Sequence, residues 1–434
     1  MDKMADVLGR AGAWCGQNKY LSAIKNAFQN FMPLTIAGAI GVLWCNVLVN
    51  DQTGLGLFFK PIMALDFLNP AFQAVNFCTI SCITVGITLG IAQEIGIWNM
   101  GAEKAGYIPG LVGLAAWLSV TNTSHMVEGA KAAFTGISGN ELGATGLFTG
   151  MIIGVLSVEL FCFFEKQDAL KIKMPEQVPP GVARAFEVLV PATITLIITA
   201  CIGSACYNLT GLYLNDVIKN GIQGPLGAVG ATIPGVMIIY LVIMLFWLVG
   251  IHGNNMLSAV KEALFTPLAL ENVEAFNKHQ TPKNIINMYA LQMWGEFGGS
   301  GVTIGLVIAI MIFGKREDNK AIATLSLVPG LFNINETVTF GIPMVLNPIL
   351  GIPFVVAPLI TIIIGYVLTV IGFCPVACLT VPWTTPPIVF GFLACGANVM
   401  GAVTQAILIV VSTVIYTPFL ISYEKYQNKQ AAEA

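Results

Sequence analysis

Residues 331–348, LFNINETVTFGIPMVLNP, contain one ionisable side chain, that of Glu336. It is the single Asp, Glu, Lys, Arg or His between Lys320 and Glu424. A helix needs about 20 apolar residues to cross the roughly 30 Å hydrocarbon core of a bilayer, and the segment between Lys320 and Glu424 is several times longer. The stretch therefore predicts membrane-spanning helices around one isolated carboxylate.

The rest of the chain has the same character. Of its 434 residues 56% are hydrophobic and 10% are charged, with a mean hydropathy of +0.79, whereas soluble proteins are about 25% charged. Apolar runs of spanning length lie near 26–49, 67–93, 105–125, 142–164, 188–212, 232–251 and 297–314, with about three more between 345 and 423. We predict an all-α polytopic integral membrane protein with about ten transmembrane helices.

Charge and cysteine spacing exclude several classes of function. The net charge of −3 and the pI near 5.7 provide no basic field for nucleic acid. The ten cysteines lack the CxxC or Cys/His spacing of a metal site, and no P-loop for ATP occurs. We therefore expect no nucleic acid, metal or cofactor among the ligands of this chain.

Lys and Arg concentrate in residues 1–25 and 165–187, which four predicted spans separate. Both segments, and so the amino terminus, are predicted to lie in the cytoplasm. The second segment, EKQDALKIKMPEQVPPGVARAFE, carries charges and three prolines that cannot lie in lipid. It predicts an amino-terminal membrane half, 1–187, and a carboxy-terminal half, 188–434. A long loop within a single unit explains the same pattern equally well.

The surroundings of Glu336 suggest a binding site. An ionised carboxylate at mid-bilayer costs about 2.5 to 3.5 kcal/mol, so it should face a cavity, find a partner or be protonated. Asn333 and Asn335, two candidate sugar-binding residues, precede it, and nine prolines lie from residue 329 to residue 387. Broken helices at membrane depth commonly build substrate sites. Alternatively, Glu336 caps the start of a helix or lies near the headgroups.

Three further stretches place polar or aromatic residues beside apolar runs: WLVGIHGNNMLS (247–258), MWGEFGGSGVT (293–303) and VPWTTPPIVFGF (381–392). Their candidate binding residues are His252, Asn254, Asn255, Trp294, Glu296 and Trp383. Indoles can stack on sugar rings while amides and carboxylates bind hydroxyls. A satisfied interfacial histidine and an interfacial tryptophan belt are the structural alternatives. The set favours a neutral, polyhydroxylated ligand, and it is also compatible with a proton-coupled carrier in which Glu336 titrates.

At these residues the chain resembles the membrane (C) component of enzyme II of the bacterial phosphoenolpyruvate-dependent sugar phosphotransferase system, of the lactose, cellobiose and diacetylchitobiose type. The resemblance spans essentially the whole chain and rests on LFNINETVTFGIPMVLNP, GIHGNN and VPWTTPP. It is greatest to the diacetylchitobiose and cellobiose permeases. It implies a multi-pass protein of the bacterial plasma membrane that forms a homodimer through its amino-terminal half. The carboxy-terminal half would contain re-entrant hairpins and hold the sugar.

The resemblance also implies roles for individual residues. Glu336 and His252 would lie beside the sugar 6-hydroxyl that becomes phosphorylated, while Trp383 and the neighbouring amides cradle the rings. Because no cysteine here has the setting of a phosphorylated B-domain cysteine, we expect the donor to be a separate B component, loaded by an A component. A proton-coupled secondary sugar transporter is the alternative function, and a passive channel is a remote third.

Overall fold

The computed structural model describes Arg10, Trp14 and residues 17–51, 55–125, 134–175, 177–225, 230–342 and 344–433. Within these ranges α-helices carry the fold. The strands Ser124–His125 and Phe134–Thr135 form one short antiparallel pair, with Ser124 opposite Thr135.

The α-helices of eight or more residues are numbered in chain order. They are α1 Lys19–Leu43, α2 Asn69–Cys78, α3 Ile83–Met100, α4 Ile108–Val120, α5 Leu147–Glu165, α6 Pro180–Thr210, α7 Ile233–Leu248, α8 Ser258–Asn277, α9 Met288–Gly295, α10 Ile304–Phe313, α11 Glu317–Leu331, α12 Gly351–Val370 and α13 Val399–Glu433. Shorter α-helices are Leu55–Phe58, Ala102–Ala105, Gly139–Leu142, Leu214–Ile218, Gly253–Met256, Glu336–Gly341 and Val389–Ala394. The 3-10 segments are Lys60–Leu68, Ile80–Cys82, Ala144–Gly146, Asp168–Leu170 and Ser300–Val302, and the π segments are Trp44–Leu48 and Lys219–Gln223.

The prediction of an all-α polytopic membrane protein is confirmed. Six helical stretches of the described chain are long and apolar enough to cross a membrane, or seven if α9 and α10 form one span bent by 60°. The helices α4 and α7 are apolar but have only 13 and 16 residues. Their length accounts for two of the predicted segments that a count by helix length leaves out. Between residues 345 and 423, where about three spans are predicted, the long helices are α12 and α13, and a short helix, Val389–Ala394, lies between them.

One compact unit comprises residues 17–38 and the described part of 74–228. Helices α3, α4, α5 and α6 pack together in it around Ile87, Ile91, Trp117 and Phe161, all of them buried. Small residues allow close packing, since a Cβ at Gly113 would overlap the side chain of Ala92. This unit is therefore held by apolar packing of the kind that helices use within lipid.

The second compact unit comprises the described residues of 39–73 and those from 230 onward. Helix α10 runs along α13, and the buried hydroxyl of Tyr416 on α13 donates to the Gly301 carbonyl at 2.7 Å. Helix α12 packs against α9 where Gly365 leaves room for the indole of Trp294. These contacts fix the ends of broken helices next to the cavity described below.

The charged connection 165–187 is partly helical. Helix α5 ends at Glu165 and α6 begins at Pro180. The nearly fully buried Glu165 carboxylate binds Lys104 Nζ at 2.8 Å and Arg184 Nη1 at 2.9 Å. The connection therefore ties α6 to α5, and the division after residue 187 stays a prediction, as does a dimer contact.

Candidate functional site

A cavity of about 460 Å³ lies within the second compact unit. This volume is within the range of about 300 to 1,000 Å³ that is usual for small-molecule sites. Its lining residues are His252, Asn254, Asn255, Glu262, Gln292, Glu296, Phe297, Gly299, Ser300, Asn333, Ile334, Asn335, Glu336, Trp383, Phe390 and Gln405. Of the nine residues that the sequence predicts for the site, the structure brings together all but Trp294.

The first wall segment is the break between α9 and α10. Gly298, Gly299 and Gly301 all have positive φ, so the chain turns sharply between the two helices. A Cβ at Gly299 would lie 2.6 Å from the amide carbon of Asn335. Glycine is required here because the Asn335 side chain approaches closely and the backbone has positive φ. Ser300 and Glu296, on either side of this turn, line the cavity.

The second wall segment, Asn333 to Glu336, is fixed to its neighbours by amide side chains. Asn333 has φ of +63°, a left-handed conformation that asparagine tolerates. Its Oδ1 accepts the Gly298 N–H at 2.6 Å, and its Nδ2 donates to the carbonyls of Trp383 and Thr385. Asn335 Nδ2 donates to the Ser300 carbonyl at 2.7 Å. The two amide side chains thus join residues 333–336 to the break between α9 and α10 and to the segment that contains Trp383 and Thr385.

Glu336 and His252 face each other across a gap. Their nearest atoms, Glu336 Oε1 and His252 Nε2, are 4.0 Å apart, too far for a hydrogen bond. His252 Nδ1 accepts the Asn255 N–H at 3.2 Å, so a neutral ring carries its proton on Nε2. One oxygen atom can lie about 2.8 Å from both atoms, accepting from Nε2 and donating to the carboxylate.

The environment of His252 favours its neutral form. Burial lowers the pKa of the imidazole below its ordinary value of 6.5, although the nearby Glu336 carboxylate acts in the opposite direction. The ring also lies against Trp247, with 4.4 Å between ring centroids. The imidazole is therefore held in place and uncharged near neutral pH.

A chain of polar contacts stabilises a third part of the wall. The carboxylate of Glu296 forms an ion pair with Lys261 and accepts the Tyr240 hydroxyl at 2.7 Å. Lys261 Nζ also donates to Asn254 Oδ1 at 3.3 Å, and Asn254 Nδ2 donates to Ser300 Oγ at 2.8 Å. The lysine charge is thereby neutralised within the wall, and the amide of Asn254 is oriented by the protein.

The two tryptophans differ in position. Trp383 lines the cavity with 44% of its surface exposed. Trp294 is 1% exposed and packs in the core beside Gly365. The structure therefore offers one predicted indole to a ligand and uses the other in packing, because α9 turns the Trp294 ring toward α12.

Sequence reasoning missed several lining residues, including Glu262, Gln292 and Gln405. Gln292 Oε1 is buried without a hydrogen-bond partner, so it can accept from a ligand. Gln405 is 1% exposed and interrupts an apolar helix. Gln405 could have been found from the sequence as an isolated amide within an apolar run. Glu262 could not, because the polar segment around it resembles a surface loop.

The arrangement suits a neutral ligand rich in hydroxyl groups. Carboxylate or amide oxygens of Glu336, Glu262 and Gln292 can accept from hydroxyls, and the Nε2–H of His252 can donate. Phe297, Phe390 and Trp383 supply apolar faces. Within the described residues no group of three or more His, Cys, Asp or Glu side chains is arranged to hold a metal ion.

Comparisons of the sequence and of the structure with known proteins indicate the same family. The family model for "Phosphotransferase system, EIIC" matches residues 25–358. The "PTS system oligo-beta-mannoside-specific EIIC component" of Bacillus subtilis (strain 168) is 32% identical over 428 residues, covering 98% of this chain and 94% of that protein. The "PTS system cellobiose-specific EIIC component" of Lactococcus lactis subsp. lactis (strain IL1403) is 29% identical, covering 98% of each.

A solved structure also matches. The transporter ChbC, the IIC component from the N,N'-diacetylchitobiose-specific phosphotransferase system, superimposes with a TM-score of 0.88 at 29% identity, covering 97% of both chains.

Proposed function

The chain belongs to the EIIC family of the phosphotransferase system, and from this premise we propose a function for its cavity. It binds a β-linked disaccharide of the diacetylchitobiose or cellobiose type and carries it inward. It then presents the sugar 6-hydroxyl to the phosphocysteine of a separate B component. The sugar-permease class follows from the family, and the names of the relatives suggest the sugar type.

The gap between His252 and Glu336 is the observation that carries this proposal. At 4.0 Å between Nε2 and Oε1, a single hydroxyl oxygen accepts from the imidazole and donates to the carboxylate. Such a hydroxyl is both held in place and partly deprotonated, which is what a nucleophile in phosphoryl transfer needs. A neutral disaccharide supplies this hydroxyl.

The proposed chemical step is transfer of a phosphoryl group from the donor cysteine to the sugar hydroxyl. The hydroxyl oxygen attacks phosphorus, its proton passes to Glu336, the new O–P bond forms and the S–P bond to the donor cysteine breaks. His252 donates a hydrogen bond to the hydroxyl oxygen and orients it, while its own charge does not change. The product carries the phosphate charge, so it does not readily return through an apolar barrier.

Partners follow from the family. EIIC components of the phosphotransferase system work with B and A components and with a sugar, and one relative is named for cellobiose. We further propose a homodimer in lipid with a cytoplasmic amino terminus, which matches the cytoplasmic location of the soluble phosphotransferase components.

The test is binding calorimetry with the full-length protein in detergent. We expect the wild type to bind diacetylchitobiose or cellobiose, and the 6-deoxy analogue of the preferred sugar to bind at least tenfold more weakly. That ratio is about 1.4 kcal/mol, which is typical of a hydrogen bond to a charged group. In Glu336→Gln the ratio should shrink. Equal affinity of wild type for the sugar and its 6-deoxy analogue would contradict the placement of the hydroxyl.

A further inference from the structure

Gln405 joins two segments of the cavity wall, and nothing in the hydroxyl chemistry above uses it. Its Oε1 accepts two backbone N–H groups, from Ile388 at 2.8 Å and from Gly391 at 2.7 Å. Its Nε2 donates to the Met293 carbonyl at 3.2 Å. Met293 lies on α9 next to Gln292, and Ile388 lies between Trp383 and Phe390.

The backbone that Gln405 holds is strained. Ile388 has φ of +75° and ψ of −52°, a region that a β-branched residue rarely adopts. Such a conformation persists only where the surroundings impose it, and it is often associated with functional sites. The two hydrogen bonds from Ile388 and Gly391 to one oxygen impose it here.

The contact between helices leaves little freedom for this segment. Gly391 and Gly401 meet backbone to backbone, so a Cβ at either would overlap the carbonyl oxygen of the other. The other end of the segment is held by Asn333, which donates to the Trp383 and Thr385 carbonyls. Trp383 and Phe390 are therefore positioned by two amide side chains, of which Gln405 alone also binds α9.

From these contacts, and resting on the function proposed above, we infer that Gln405 is a positioning residue for sugar binding. Gln405 connects the segment that contains Trp383 and Phe390 to helix α9, which contains Gln292. It thereby determines the distance between the aromatic rings of Trp383 and Phe390 and the acceptor oxygen of Gln292. Losing this coupling changes the affinity of correctly folded molecules for the disaccharide. A buried amide in an apolar helix is otherwise unfavourable, because an apolar residue of similar size would fill the space without a polar group to satisfy.

Calorimetry of the full-length protein separates positioning from stability, because the dissociation constant and the number of binding-competent molecules are measured independently. Gln405→Met keeps the volume and removes all three hydrogen bonds. We expect its dissociation constant for the preferred disaccharide to rise at least tenfold. In Gln405→Glu the carboxylate still accepts the two backbone N–H bonds but cannot donate to the Met293 carbonyl, so the coupling to α9 is lost and the dissociation constant should rise more than about threefold, though less than in Gln405→Met.

Ser412→Ala is the matched control, since Ser412 lies on the same helix, is equally buried and bonds only within that helix, to the Ile409 carbonyl. It should leave the dissociation constant unchanged. If Gln405→Met lowers only the number of binding-competent molecules and not their affinity, the inference is wrong. If Gln405→Met does not fold, Gln405→Asn decides by the same measure, because it keeps the amide but is one methylene too short. A wild type that binds neither diacetylchitobiose nor cellobiose would instead overturn the proposed function.

Discussion

Removing the charge of Lys261 should destabilise the protein much more than removing a surface lysine. The Lys261 and Glu296 side chains are 7% and 18% exposed, and their ion pair lies inside the cavity wall. Breaking a buried pair on one side leaves an uncompensated charge and costs about 3 to 5 kcal/mol. The Tyr240 hydroxyl still donates to Glu296, so we expect the lower end for Lys261→Met, about 3 kcal/mol.

Helix α8 offers a matched control. At its carboxy-terminal end, Glu274 forms an ion pair with Lys278, the residue that follows the helix, and the side chains of Lys278 and Glu274 are 58% and 42% exposed. Lys278→Met should cost no more than about 1 kcal/mol, because exposed pairs are screened by solvent. The assay is reversible unfolding in detergent micelles, followed by tryptophan fluorescence, for each variant.

A double-mutant cycle isolates the pair itself. Lys261→Met combined with Glu296→Gln should cost at least 1.5 kcal/mol less than the sum of the single changes, roughly half of the cost of breaking one side. Equal losses for Lys261→Met and Lys278→Met, or strict additivity in the cycle, would refute the argument that a buried charge pair supports this wall.

Three further outcomes are expected. Glu336→Gln should reduce the rate of sugar phosphate formation at least about 100-fold, because a general base is lost, while the free energy of unfolding stays unchanged. Glu317→Gln, a control at an exposed side chain, should change neither the rate nor the free energy of unfolding. Burial lowers the pKa of His252, so the unfolded state binds more protons than the folded state around and below pH 6.5. The free energy of unfolding should therefore fall from about pH 7.5 to about 5.5, and it should fall less in His252→Gln. Identical pH dependence of the two proteins would contradict this expectation. Gly299→Ala should abolish sugar binding through its overlap with the wall, whereas Gly372→Ala, also at positive φ but in open space, should bind normally in calorimetry.

The fold class was predictable because membrane insertion depends on composition over about 20 residues, which the sequence displays directly. The bend between α9 and α10 was not, since it arises from three glycines whose conformations depend on the neighbouring segment. The ion pair between Glu165 and Arg184, which joins α5 to α6 across the charged connection, also leaves no local signal in the sequence, and the division after residue 187 stays a prediction.

In the site, ionisable residues were easier to find than neutral ones. Glu336 and His252 stand out because charge is rare in apolar runs, and the structure brings both to one cavity. The partnership of Lys261 with Glu296, 35 positions apart, leaves no local signal. Asn333 was expected to contact sugar, yet its side chain bonds to backbone groups of the protein. The catalytic and binding roles of these residues stay predictions.

We propose that the imported sugar becomes phosphorylated through a relay that ends at this cavity. The most direct test is uptake of labelled diacetylchitobiose and cellobiose into vesicles containing the protein, with and without phosphoenolpyruvate and the soluble phosphotransferase proteins. We predict sugar phosphate inside the vesicles only when the full relay is present. Unmodified sugar that accumulates under a proton gradient, with no dependence on the relay, would contradict the account and make Glu336 a proton-coupling residue.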